Sequence, residues 1–351
     1  MSTSAGEQSV LDRIDETWIT RLTTALVRAA GGNPPGGEAA TVAVLSAAAA
    51  ELGLDVVETS VEPGRSNLRI TLEGGSGPGL LLLGHTDVVP VGDGWTRDPF
   101  GGDLIDGRIY GRGASDMKGG LAASLAALAA LRGVGCSGPV ELAALVDEEE
   151  NGTGIRAYVS SRIRPMLGCI TAEPTDLQLI IAARGASYFR IEVHGRAAHA
   201  GKPDDGANAI YGAAAIVAEV ERLHAELAKQ PHPVLGPATL SIGQIQGGTG
   251  GSTVPAECVL VLDRRLLPGE SPDAVLTSLC EHVAASRLED RGLSAEVSMP
   301  MAMPAFETRP TAGSRERSGP RWPTRVDRVI RRVAGPRPVT ADSWLATSVC
   351  P

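Results

Sequence analysis

Residues 80–83 are four consecutive leucines, and they run directly into Gly84, His85, Thr86 and Asp87. A strand with one face in water alternates apolar and polar side chains. A continuously apolar strand must be covered on both faces, as at the centre of a layered α/β sheet. Its neighbours fit that reading. Residues 67–72, 139–146 and 167–172 read as further strands, the last less clearly. Residues 22–30, 39–52 and 121–131 have helical spacing, with the break NPPGG at 33–37 between the first two. The helix over 121–131, LAASLAALAAL, has almost no polar face and is expected to be buried.

A different rhythm begins near Arg184. Strands are expected over 187–195, 238–245, 257–263 and 293–297, with helices over 208–227 and 271–287. The order β-α-β-β-α-β describes a small two-layer domain. The expected fold class is therefore α/β: an open, mostly parallel sheet in a first domain, interrupted by an inserted α+β domain. The expected boundaries are 1–183, 184–299 and a return at 300–351. Residues 309–351 hold nine arginines, six prolines and no lysine. Only residues 326–335 there have helical spacing, with a glycine stop.

Composition narrows the function. Hydrophobic residues make up 43% and charged residues 21%, as in ordinary globular material. A net charge of −9 argues against nucleic acid as the main partner. No apolar run has the length of a membrane span, and the N-terminus lacks a secretory pattern. The five cysteines, Cys136, Cys169, Cys258, Cys280 and Cys350, form no CxxC pair and read as free core thiols in a reducing, cytoplasmic setting.

Chemistry concentrates at strand ends. His85 and Asp87, two apart, share one face, and ligands of open α/β sheets bind beyond the carboxyl ends of strands. One reading makes His85 a metal ligand oriented by Asp87; the other is a structural His–Asp hydrogen bond capping the strand. GRGASDMKGG, residues 111–120, sets Asp116 before the buried helix and matches neither a dinucleotide loop nor a phosphate loop. Glu148, Glu149 and Glu150 follow one apolar strand, and Glu173 follows another. Each taken alone is a helix cap, a solvated charge run or a turn residue. Together they supply imidazole and hard oxygen donors, the set that zinc, cobalt or manganese takes.

GHTDVVPVGDGW, DPFGGDLIDGRIYGRGASDMKGG, DEEENG, AEPTD, RAAHAGKPDDGANAI and DRRLLPGE, in this order, resemble the signatures of a dinuclear zinc family. That family contains acetylornithine deacetylase, succinyl-diaminopimelate desuccinylase, aminoacylase-1 and glutamate carboxypeptidase. The resemblance runs from about residue 33 to 306. It implies that His85 and Glu173 bind one Zn2+ and Glu149 a second, with Asp116 bridging the two; Co2+ or Mn2+ are possible substitutes. It implies Glu148 as general base and Asp87 as the orienter of His85. The inserted domain becomes a lid and homodimerisation domain. His199 matches the histidine that reaches a partner subunit's active site and polarises the scissile carbonyl, and Arg265 a clamp for a substrate carboxylate. Without the resemblance, His199 is a surface loop residue and Arg265 a strand-end charge paired with Asp263 or Glu270. Ser252 stands where many relatives carry an asparagine that contacts substrate.

The chain departs from that pattern at one ligand. The family's second metal takes a further histidine near the end of the catalytic domain. The six histidines here are His85, His194, His199, His224, His232 and His282, and none aligns with it. The tail, on this reading, is truncated or altered and does not supply the last strands of the sheet. Two functions are expected from these facts. One is a metal-dependent hydrolase of an amide bond in an N-acyl amino acid or small peptide. The other is a catalytically inactive relative that binds metal or ligand and dimerises.

Overall fold

The structure, a computed structural model, describes residues 4–161 and 164–308. These fall into two compact units, one over residues 4–179 and the other over 180–308. The expectations for residues 309–351, including the helix at 326–335, lie outside the described residues, as does Cys350.

The first unit opens with α1 (Ala5–Leu11), α2 (Glu16–Arg28) and α3 (Ala39–Glu51). Helix α2 starts six residues earlier than its apolar spacing indicates, because the Asp15 carboxylate accepts the Trp18 N–H and caps the first turn. The strands are β1 (Asp55–Glu62), β2 (Arg65–Leu72), β3 (Gly79–His85), the small hairpin β4 (Asp103–Ile105) and β5 (Arg108–Tyr110), β6 (Val140–Leu145) and β7 (Met166–Thr171). Helix α4 (Gly119–Arg132) precedes β6, and α5 (Thr153–Ser161) follows it.

The main sheet runs β1-β2-β6-β3-β7. β3 lies parallel to both β6 and β7, whereas β2 pairs antiparallel with β6 and with β1. β1 was not legible in the sequence: DVVETSVE is mostly exposed and pairs on one side only, so no apolar stripe marks it. Helix α4 covers one face of the sheet and buries Leu121, Leu125 and Leu128 against Leu82, Leu142 and Ile70. Of the thiols, Cys258 is buried, but Cys280 is exposed, so the expectation of core thiols throughout is corrected there.

The second unit contains β8 (Ala182–Ala183), β9 (Gly185–His194), β10 (Ala198–His199), α6 (Ala209–Leu227), β11 (Thr239–Gly247), β12 (Thr253–Val254), β13 (Glu257–Leu266), α7 (Pro272–Ala285), β14 (Ser294–Met303) and β15 (Phe306–Glu307). Its four-stranded sheet has the order β11-β13-β9-β14 and is antiparallel throughout. Strict alternation along β13 buries Cys258, Leu260 and Leu262, which pack with Phe189, Ile191 and Val193 of β9 beneath α6 and α7. Among the described residues, no helix is long and apolar enough to cross a membrane.

Candidate metal and catalytic site

Parallel pairing explains why distant residues meet. His85 is in register with Leu145, and Leu83 with Thr171. The three strands β6, β3 and β7 therefore end together, and the residues just beyond them share one rim. β3 delivers His85 and Asp87, β6 delivers Asp147, Glu148 and Glu149, and β7 delivers Glu173. Asp116 arrives from the turn ahead of α4, where the Asp116–Met117 peptide is cis. Small residues make the approach possible. A Cβ at Gly120 would lie 2.2 Å from the Ala172 carbonyl oxygen, so only glycine brings α4 this close to the segment carrying Glu173.

His85 is 3% exposed. Its Nε2 lies 3.0 Å from Asp116 Oδ1, 3.7 Å from Glu173 Oε1 and 3.9 Å from Glu148 Oε2. Its Nδ1 lies 3.0 Å from the Asp87 carbonyl oxygen and 3.4 Å from Asp87 Oδ1. Both neighbours of Nδ1 are acceptors, so Nδ1 carries hydrogen and Nε2 is the nitrogen turned to the carboxylates. Donor atoms of His85, Asp116 and Glu173 fall within 4.8 Å of one another, and so do those of His85, Glu148 and Glu149. Both sets draw on the same ring. The other five histidines all belong to the second unit. Glu150, third of the acidic run, is exposed and stands apart from these sets.

The charges are mutually strained. Burial, reinforced by the carboxylates of Glu149, Glu173 and Asp87 and opposed by His85, lifts Glu148 to about 9. Burial and Asp116 lift Glu149 to about 7, again against His85. Burial lifts Glu173 to about 7, where it hydrogen-bonds Asp116. Burial disfavours a charged His85, but its bonds to Asp116 and Asp87 and the nearby glutamates outweigh this and raise it well above its ordinary value. Acids crowded in two sets around one imidazole are relieved by a cation.

Asp87 is fully buried and does more than face His85. Its Oδ1 accepts the Glu148 N–H at 3.1 Å, and its Oδ2 accepts the Glu149 N–H at 3.0 Å. Asn33 Nδ2 donates to Asp87 Oδ2 and to Asp147 Oδ1, each at 2.9 Å. Asp147 also accepts from Arg65, whose guanidinium is held by the fully buried Glu38. Lys118, fully buried, donates to the Leu26 and Ala30 carbonyls and to Thr41 Oγ1, pinning the Asp116 turn to α2 and α3. Sequence reasoning did not single out Asn33, Glu38, Arg65, Lys118 or Asp147. Asp147, Asn33 and Lys118 lie within the quoted stretches DEEENG, NPPGG and GRGASDMKGG without a role being read for them; Glu38 and Arg65 lie in none.

In the second unit, His199 pairs across β10 and β12 with Thr253, beside Ser252, whose carbonyl accepts the Ala200 N–H. Both side chains are exposed. His199 Nδ1 accepts the Gly201 N–H at 3.0 Å, which leaves Nε2 as the protonated, outward donor. Arg265 Nε lies 2.8 Å from Asp263 Oδ1, while Glu270 pairs with Arg264. Of the two strand-end partners expected for Arg265, Asp263 is present. The structure thus gathers His85, Asp87, Asp116, Glu148, Glu149 and Glu173 in one unit, and sets His199 and Ser252 side by side in the other.

A profile of peptidase family M20/M25/M40 matches residues 81–309. Among solved structures, the chain is similar to aminopeptidase PepT from Bacillus cereus, with TM-score 0.68 and 23% identity over 85% of this chain and 79% of that one. It is similar to an M20 family metallo-carboxypeptidase from Sulfolobus solfataricus, with TM-score 0.67 and 19% identity over 85% and 80% of the two chains. It is also similar to YXEP from Bacillus subtilis, described as a dinuclear metal binding peptidase of the M20 family, with TM-score 0.61 and 16% identity over 84% and 77%. Likeness at these identities establishes a shared fold, and the profile match over most of the chain establishes more: this chain belongs to peptidase family M20/M25/M40.

Proposed function

We propose that the chain is a zinc-dependent hydrolase of the amide bond in an N-acyl amino acid or small peptide. The observation that carries this is the convergence of His85, Asp116 and Glu173, with Glu148 and Glu149 beside them, at the shared end of three parallel strands. His85 Nε2, Asp116 and Glu173 form a complete three-ligand set of the kind that holds a catalytic zinc with one position open. Among the described residues, Asp116 and Glu149 would hold a second ion, and Co2+ or Mn2+ suit such an oxygen-rich set as well. A bound ion supplies Lewis acidity to the scissile carbonyl and a more acidic water.

The protein's own groups do the rest. Glu148, 10% exposed and beside the ligands, takes a proton from the attacking water and returns it to the leaving amine. Asp87 keeps the His85 proton on Nδ1. His199, from a partner subunit in a lid-mediated homodimer, donates from Nε2 to the carbonyl oxygen as negative charge develops there. Arg265, moving from Asp263, takes a substrate carboxylate with its planar fork, and Ser252 beside His199 offers a hydroxyl where relatives offer an amide. The setting is cytoplasmic.

The test is Glu148→Gln, assayed on N-acetyl and N-succinyl amino acids and on dipeptides. Turnover is expected to fall by about 10²–10⁴ while zinc still binds; unchanged turnover would refute the assignment. A second reading, a binding protein without catalysis, draws on the single histidine shared by both ligand sets. Turnover of the zinc-loaded chain separates the two: hydrolysis with one or two ions bound supports the first, and no hydrolysis, with or without bound zinc, supports the second.

A further inference from the structure

We infer that Asn33 and Arg65, neither a member of the acidic cluster, are positioning residues that set the place of Glu148 and Glu149. The inference rests on the roles proposed for those two glutamates. The loop after β6 is held from behind. The Glu148 and Glu149 amides both donate to the Asp87 carboxylate. Asp87 is in turn bridged to Asp147 by one nitrogen, Asn33 Nδ2. Without that nitrogen, two fully buried carboxylates each lose a hydrogen-bond donor.

Arg65 completes the arrangement from the far side. Its Nη2 donates to Asp147 Oδ1 at 3.1 Å, and its Nε donates to both oxygens of Glu38 at 3.1 and 3.0 Å. It is the cation paired with both of these fully buried acids. Asp147 is the hinge on which this acts. Its φ is +62°, its carbonyl accepts the Gly152 N–H at 2.6 Å, and its Oδ2 accepts both the N–H and the hydroxyl of Thr153. The backbone that presents Glu148 therefore leaves a residue locked at every polar atom. Asn33, Glu38 and Arg65 come from the loop before α3, the start of α3 and the start of β2. The loop takes its geometry from those rigid elements rather than from its own short turn. Displacement of a catalytic group by about 1 Å can cost 10²-fold in rate, so such support is functional.

Asn33→Ala removes the bridge without burying a new charge, and Arg65→Lys keeps the cation but not the fork that reaches Glu38 and Asp147 together. In each, kcat is expected to fall at least tenfold with KM within about twofold, and zinc affinity, measured by titrating the metal-free protein, to fall by about 10–100-fold. Hydrogen exchange should quicken in residues 146–153 and stay unchanged in α4. Either of two results overturns the inference: kcat within twofold with unchanged loop exchange in both variants, or exchange that rises equally in α4, the mark of general loosening. If Glu148→Gln retained turnover, the proposed base would fall. The exchange and zinc affinity of Asn33→Ala would still decide this inference on their own.

Discussion

Replacing Arg65 by methionine isolates a buried charge whose energetic weight can be read from its surroundings. Arg65 is 9% exposed, while Glu38 and Asp147 are fully buried. Its third partner, Glu62, has a side chain 43% exposed, and such a pair contributes no more than about 1 kcal/mol. The effect therefore comes from the two buried acids. Breaking a buried ion pair by removing one partner costs about 3–5 kcal/mol, because the remaining charge keeps its desolvation penalty and loses its compensation. Arg65→Met is expected to lower the unfolding free energy by that amount at pH 7. Urea unfolding followed by tryptophan fluorescence measures it, since Trp18 packs against the core of the same unit. Adding Glu38→Gln to Arg65→Met removes one abandoned charge and should recover part of the loss, so the two changes are not additive. The pH dependence has a definite sign. Asp147 is held below its ordinary value: burial opposes this, but bonds from Asn33 and Thr153 and the charge of Arg65 prevail. A depressed carboxyl stabilises the fold above the unfolded value of 3.8, and that stability is lost as pH falls through the folded value. The variant lacks part of it, so the gap between the two proteins should narrow below about pH 4. A loss under about 1 kcal/mol at pH 7, or a gap that widens in acid, would refute the reasoning.

Four further outcomes are expected. Metal-free protein holds a proton at pH 7 on Glu148, lifted to about 9, and His85 is raised above its ordinary value, so zinc binding should release protons; calorimetry in buffers of different ionisation enthalpy reads this, and zero release would contradict the raised values. Their sign also makes the metal-free catalytic unit more stable as pH falls from about 9 toward 4.5, since the folded state then binds more protons than the unfolded one. His199→Ala should lower kcat by about 10²–10³ with little change in zinc affinity, as loss of one oxyanion donor does; equal turnover would remove His199 from the mechanism. Phe189→Ala, at a site with no solvent exposure, should cost the second unit about 3–5 kcal/mol by urea unfolding, and a cost below 1 kcal/mol would mean that Phe189 is not central to that core.

The elements legible in the sequence were those with a strong period or none at all. The leucine run of β3, the alanine-rich α4 and the alternating β13 announce themselves because burial on two faces, all round, or on one face leaves a distinct pattern. β1 and the short pairings β8–β15 and β10–β12 left none, since exposed or two-residue strands bury no stripe. The acidic cluster was legible as residue types at successive strand ends, and the family signatures attached a role to each.

By itself, then, the sequence determined the α/β layering, the β-α-β-β-α-β unit and the donor types carried by His85, Asp116, Glu148, Glu149 and Glu173, because these are matters of local pattern and residue type. Only the tertiary structure decided which nitrogen of His85 faces the acids, that Asp87 anchors the Glu148 and Glu149 amides, and that Asn33, Glu38, Arg65 and Asp147 stand behind them. The physical reason is range. A strand or helix records its burial in residues a few positions apart, whereas a buried charge is satisfied by partners as distant in sequence as Asn33 and Asp147, and nothing in the local pattern of either names the other.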